Sequence, residues 1–231
     1  MSASPRHAVL FVHIQKTAGM SLYNALARAF APGESMRFER SQEAFRQRFL
    51  AMPEAELKRC RLLSGHFNLP FWLSRDLGPR LVLSAVREPV DRVLSTYRYM
   101  RSWKGHRRHA SAGQLDIAGF VDDYANDPSR HNVQCMRLCG APDFARAKAM
   151  AARAIDILGA VEAMPQLVAA IDAALGVAID VGVDNRSAIQ EPRREAIDPA
   201  LIARLRDCNA EDAKLFDYVM TEGVVRGHVQ G

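Results

Sequence analysis

Two segments of this 231-residue chain carry side chains able to hold an anion, and a third carries one able to move a proton. The first is Lys16-Thr17-Ala18-Gly19-Met20-Ser21, lying between a short apolar run and a helix-like pattern. At such a junction the first amide groups of the helix lack partners within it, and the helix dipole favours negative charge. Lys16 adds a mobile point charge. Because Lys16 precedes the glycine, the Walker A order G-x-x-x-x-G-K-[ST] is absent. By itself the loop fits an anion cradle and an ordinary strand-to-helix turn with an exposed lysine equally well. The second segment begins at Arg87, whose planar guanidinium suits phosphate oxygens; Ser95, two turns into the next helix, offers a hydroxyl donor. Alone, Arg87 also fits a salt bridge and Ser95 a small packing residue. The third candidate is His66, which titrates near neutrality and suits proton transfer. At that position alone, a satisfied strand-end histidine is the plainer reading.

These side chains need elements to position them. Ala8–Ile14 (AVLFVHI) has the length and the β-branched and aromatic content of a buried parallel strand, with His13 in a structural role along it. Leu22, Ala25, Leu26, Ala29 and Phe30 then recur at helical spacing until Pro32-Gly33 stops the pattern. Helices are expected near 41–50 and 53–59, a strand at Leu62–Gly65 ending in His66, and a clearer strand at Arg80–Val86. Pro89 opens a helix with the apolar stripe Val90, Val93, Leu94, Tyr97 and Met100, and Ser95 lies beside that stripe. Three short helices are expected over 114–153, broken around Asp127-Pro128 and Gly140-Ala141-Pro142. A strand at Ile155–Val161 and a helix carrying Leu167, Ile171 and Leu175 follow, then a loop over 180–197 and a terminal helix over 199–220. The alternation predicts an α/β fold, a single domain over 1–231 with a central parallel sheet flanked by helices. Lys16 and Arg87 then share the carboxyl edge of the sheet, where open α/β folds bind ligands.

Composition narrows the function further. The hydrophobic fraction of 48% and charged fraction of 25% are those of an ordered, soluble globular protein. No run approaches about 18 apolar residues, and the start MSASPRH leads into a strand-like segment and not a signal-peptide core, so a cytoplasmic protein without an integral membrane segment is expected. Cys60, Cys135, Cys139 and Cys208 are too scattered for a disulfide framework and lack zinc-ligand spacing, so reduced thiols and no metal are expected. Residues 87–109 carry seven Lys or Arg against Glu88 and Asp91, a surplus that equals the whole chain's net charge of +5. Such a local field draws anionic ligands. No recognised nucleic-acid motif accompanies it, and nucleic acid is not expected as a partner. The cluster Arg101–His109 fits either a seat for an acidic acceptor, with Trp103 stacked on a sugar ring, or a solvated loop, the latter being the plainer.

Together the segments resemble the carbohydrate sulfotransferases that draw on the nucleotide donor PAPS, in particular the heparan sulfate 2-O-sulfotransferase group and its bacterial relatives. Lys16, Thr17, Ala18, Gly19, Met20 and Ser21 resemble that family's loop for the donor's 5′-phosphosulfate. Arg87-Glu88-Pro89-Val90-Asp91-Arg92-Val93-Leu94-Ser95 is similar to its 3′-phosphate motif, in which the arginine and the serine hold the phosphate, and the spacing of eight matches. Ser64-Gly65-His66-Phe67 resembles the segment of the catalytic histidine. Fainter echoes are His131-Asn132-Val133-Gln134, Asp184-Asn185-Arg186-Ser187 and the run from Asn209 to Phe216. The resemblance implies a P-loop-like nucleotide-binding architecture and in-line transfer of a sulfuryl group from PAPS to a hydroxyl-bearing acceptor, a carbohydrate, leaving PAP. It implies His66 as general base, Lys16 as stabiliser of the departing phosphate, Arg186 and Ser187 as further donor contacts, and no metal. Glu88 is the reserve base. Gln15 stands where the family has proline and Met20 where it has a hydroxyl residue; Met20 cannot donate to phosphate, which weakens donor binding unless backbone groups compensate. Two rivals share the crevice: a diverged ATP-dependent phosphotransferase, and a catalytically silent protein that binds a nucleotide or anionic glycan.

Overall fold

In a computed structural model of the protein, which describes residue 5 and residues 7–38, 43–105, 108–182 and 192–227, the first apolar run forms strand β1 (Val9–Val12) with every residue buried. The run is continuously apolar because it is covered on both faces: Leu10 and Val12 enter one core, Val9 and Phe11 the other. There follow α1 (Gly19–Ala29), β2 (Ser35–Phe38), α2 (Glu43–Ala51), α3 (Glu54–Arg59), β3 (Leu62–Gly65), α4 (Leu69–Trp72), β4 (Leu81–Val86) and α5 (Pro89–Ser102). The remainder is α6 (His109–Gln114), α7 (Ile117–Ala125), α8 (Val133–Cys139), α9 (Phe144–Ala154), β5 (Ile157–Ala160), α10 (Met164–Leu175), α11 (Pro199–Cys208) and α12 (Ala210–Glu222). The strands pair in parallel in the order β2-β3-β1-β4-β5, a P-loop-like α/β arrangement. Buried residues of α1 and α10 cover one face of the sheet, and those of α8, α9 and α12 the other. On the second face Phe38, Phe49, Phe67 and Trp72 form an aromatic cluster beneath the β2–β3 edge. A third cluster joins α5 to α7 and α11.

Several expectations change. The sheet has a fifth strand, β2, absent from the sequence reading; it is an edge strand with only Phe38 buried, so it carries no continuous apolar run. The terminal helix is two helices, α11 and α12, because Asn209 turns its side chain to other work. Its Oδ1 accepts from the Tyr124 hydroxyl (2.8 Å) and the Asn132 amide (3.2 Å), and its Nδ2 donates to the Leu205 carbonyl (2.8 Å). The basic cluster at 101–109 is partly ordered into the ends of α5 and α6. There Arg108 pairs with Asp123 and Asp127, and Trp103 stacks on Tyr99 at 5.4 Å. Among the described residues no helix is long and apolar enough to cross a membrane.

Candidate active site

Strand register assembles the site. Val12 of β1 pairs with Gly65 of β3 on one side and Ser84 of β4 on the other. The chain therefore leaves β1 and β3 at the same level, and the next residues, His13 and His66, meet with ring centroids 4.5 Å apart. β4 runs two residues further, to Val86, and delivers Arg87 on the opposite flank. The loop Lys16–Ser21 emerges between these flanks.

That loop holds two non-glycine residues in the left-handed region, Lys16 (φ 69°) and Ala18 (φ 56°). L-residues avoid this region at a cost of about 1–3 kcal/mol each, and such strain persists mainly at ligand-binding turns, where alternating backbone handedness makes concavities lined by N–H groups. Ala18 is the N-cap of α1, and no side chain caps the helix. Thr17 is fully buried and its hydroxyl donates to the Ile14 carbonyl (2.9 Å), so its side chain closes the loop from within. Gly19 is fixed by close approach: a Cβ there would lie 1.9 Å from the His13 ring.

The α5 side meets the loop directly. Nη1 of Arg87 donates to the Lys16 carbonyl (3.3 Å), and Nζ of Lys16 lies 4.2 Å from the centroid of the Tyr99 ring. Half-buried Ser95 is one turn before Tyr99 on the same helix face, which brings it toward Lys16. Gln134, wholly buried, grips the main chain of Arg87 at both ends: its Oε1 accepts the Arg87 amide and its Nε2 donates to the Arg87 carbonyl, each at 2.8 Å. Oε2 of Glu88 caps α5 at the Asp91 amide (2.8 Å) and pairs with Arg194 (2.9 Å), while its Oε1 is buried without a partner among the described residues. On the β3 side, Nη1 of Arg37 donates to Met20 Sδ (3.0 Å), and Nε of Arg137 donates to Gln15 Oε1 (3.3 Å).

Burial and like charge act on the whole group. Desolvation, then the field of Arg87, lowers Lys16 to about 8. Burial lowers His66 to about 4, with Arg137 and Arg37 adding to the shift, and it lowers His13 as well. Arg137 falls to about 10 through burial and Arg92. Each group is pushed toward its neutral form, chiefly by burial and further by neighbouring cations, and an anion placed among them would oppose each shift. His66 Nε2 is buried without a hydrogen-bond partner among the described residues.

Contacts thus link Arg87 to Lys16, Gly19 to His13, and His13 to His66, with Met20 held by Arg37 and Ser95 one turn before Tyr99. Arg186 and Ser187 lie outside the described residues. Sequence reasoning missed Tyr99, His13 as the neighbour of His66, and the arginines Arg37 and Arg137. The echo around Gln134 was a usable signal for the clamp on Arg87; Arg37 gave none, because its strand was not recognised. Among the described residues no group of three His, Cys, Asp or Glu gathers as a metal site. The protein-family model for the sulfotransferase family matches residues 1–219. No curated protein matches the chain.

Proposed function

The chain belongs to the sulfotransferase family, and on that premise we propose that it moves a sulfuryl group from PAPS to a carbohydrate hydroxyl with His66 as general base. The observation that carries this reading is the placement of Lys16, Arg87 and His66 just beyond the carboxyl ends of three neighbouring strands, with Lys16 and His66 pushed toward their neutral forms by burial. The donor supplies a sulfuryl group already activated by its phosphate. Lys16 and the amides around Gly19 hold the phosphosulfate end, Arg87 and Ser95 the 3′-phosphate, with Arg186 and Ser187 as further contacts. Lys16 offsets charge as it grows on the departing phosphate.

A base must be neutral to take the acceptor's proton. Burial and the two arginines keep His66 so down to about pH 4, and no hydrogen bond competes for its Nε2. Anionic donor beside those arginines raises the proton affinity of His66 toward the range of an effective base. The same reading makes residues 1–231 one catalytic domain, working in the cytoplasm without a metal.

His66→Ala separates binding from chemistry. The variant is expected to bind PAP within about twofold of wild type and to lose at least ~10²-fold in PAP release from PAPS with desulfated oligosaccharide acceptors. Full turnover in this variant would move the base elsewhere.

A further inference from the structure

We propose that Gln134 is a positioning residue for donor binding, and that the start of the C-terminal helix α12 aims Arg87 through it. This rests on Arg87 being a ligand of the donor phosphate. Arg87 lies one residue past β4, where its amide and carbonyl leave the sheet ladder. Main-chain groups in that position need other partners, and Gln134 supplies both from a single amide. A doubly hydrogen-bonded, fully buried amide fixes the direction in which the arginine side chain departs.

Gln134 is itself held from afar. Both oxygens of Asp212 accept from the first turn of α8, one from the Gln134 amide (3.0 Å) and one from the Cys135 amide (2.8 Å). In return, Oδ1 of Asn132 accepts from the amides of Glu211 and Asp212, both at 3.0 Å, at the start of α12. The two helices cap each other. Asn132 adopts φ 47°, a strained conformation for this arrangement to maintain. Asp212 is fully buried, and that burial raises its carboxyl above the usual range, with the buried guanidinium of Arg92 and the amides of Cys135 and Gln134 opposing the shift. A chain of contacts therefore runs from α12 through Asp212 and Gln134 to Arg87.

A merely structural role would loosen the fold without reference to Arg87, so the test measures coupling. PAP affinity by calorimetry, and donor and acceptor KM, would be compared for wild type, Gln134→Met, Arg87→Ala and the double variant, with folding checked by circular dichroism. Gln134→Met is expected to weaken PAP about tenfold in the wild-type background and raise the donor KM by a similar factor. The acceptor KM stays unchanged, and in the Arg87→Ala background the same substitution weakens PAP less than about twofold. Asn132→Gly removes the cap on α12 and suits a positive φ; it is expected to repeat this pattern at smaller amplitude and decides the matter if Gln134→Met does not fold. Equal losses in both backgrounds, or no loss in wild type, would overturn the proposal. A wild-type protein that fails to bind PAP would instead sink the donor assignment, and the positioning role with it.

Discussion

On the β4 flank of the crevice, Arg87 is held by Gln134 along its main chain and reaches the Lys16 carbonyl, while Glu88 caps α5 and pairs with Arg194. On the β3 flank, His66 has a buried nitrogen with no partner, and His13, Arg37 and Arg137 around it all disfavour its protonation or share its burial. One flank is organised by directed hydrogen bonds from Gln134 and Glu88; on the other, burial and neighbouring arginines push the histidines toward their neutral forms. Fixed geometry suits holding a phosphate in place, and a desolvated histidine beside two arginines suits a proton transfer that a charged ligand assists. The strained loop at Lys16 and Ala18 joins the two.

The sharpest way to break this contrast is at the joint. Gly19→Ala would drive a methyl into the His13 ring, 1.9 Å away, forcing either the loop or the histidine to move. The expected outcome is loss of PAP binding by about tenfold or more together with about 1–3 kcal/mol of stability, read by calorimetry and thermal unfolding. An unchanged variant would mean that the loop does not rest on His13.

A smaller effect separates the flanks by pH. The folded protein holds His66 at about 4 against the ordinary histidine value of 6.5, so as pH falls the unfolded chain takes up this proton first. Its contribution is complete above pH 6.5 and is lost as pH falls toward 4, amounting to about 2 kcal/mol between pH 8 and pH 5. His13 acts in the same direction. Denaturant titrations across this range should show the slope, a reduced slope in His66→Gln, and an undiminished one in Arg87→Ala. A slope indifferent to His66 but abolished in Arg87→Ala would reverse the assignment of the flanks.

What could be read from the sequence follows from how local each signal is. β1, the loop and the Arg87–Ser95 segment were legible because a doubly covered strand is apolar throughout and a helix start carries its own punctuation. β2 was not, since an edge strand with one buried residue shows neither a run nor alternation. The break at Asn209 depends on Tyr124 and Asn132, distant in sequence, and helix periodicity alone passes over it. The same holds within the site. His66 could be nominated from its motif, yet its contact with His13 comes only from the register of β3 against β1, and the contacts of Glu88 with the α5 amide and Arg194 only from the packed structure.

The most direct measurement is calorimetric titration of wild type and Arg87→Ala with PAP and, separately, with ATP. The account predicts that wild type binds PAP in clear preference to ATP and that Arg87→Ala loses about tenfold or more of the PAP affinity, as removal of a charge-assisted phosphate contact should. Equal affinity for ATP, or an Arg87→Ala variant that binds PAP like wild type, would contradict it.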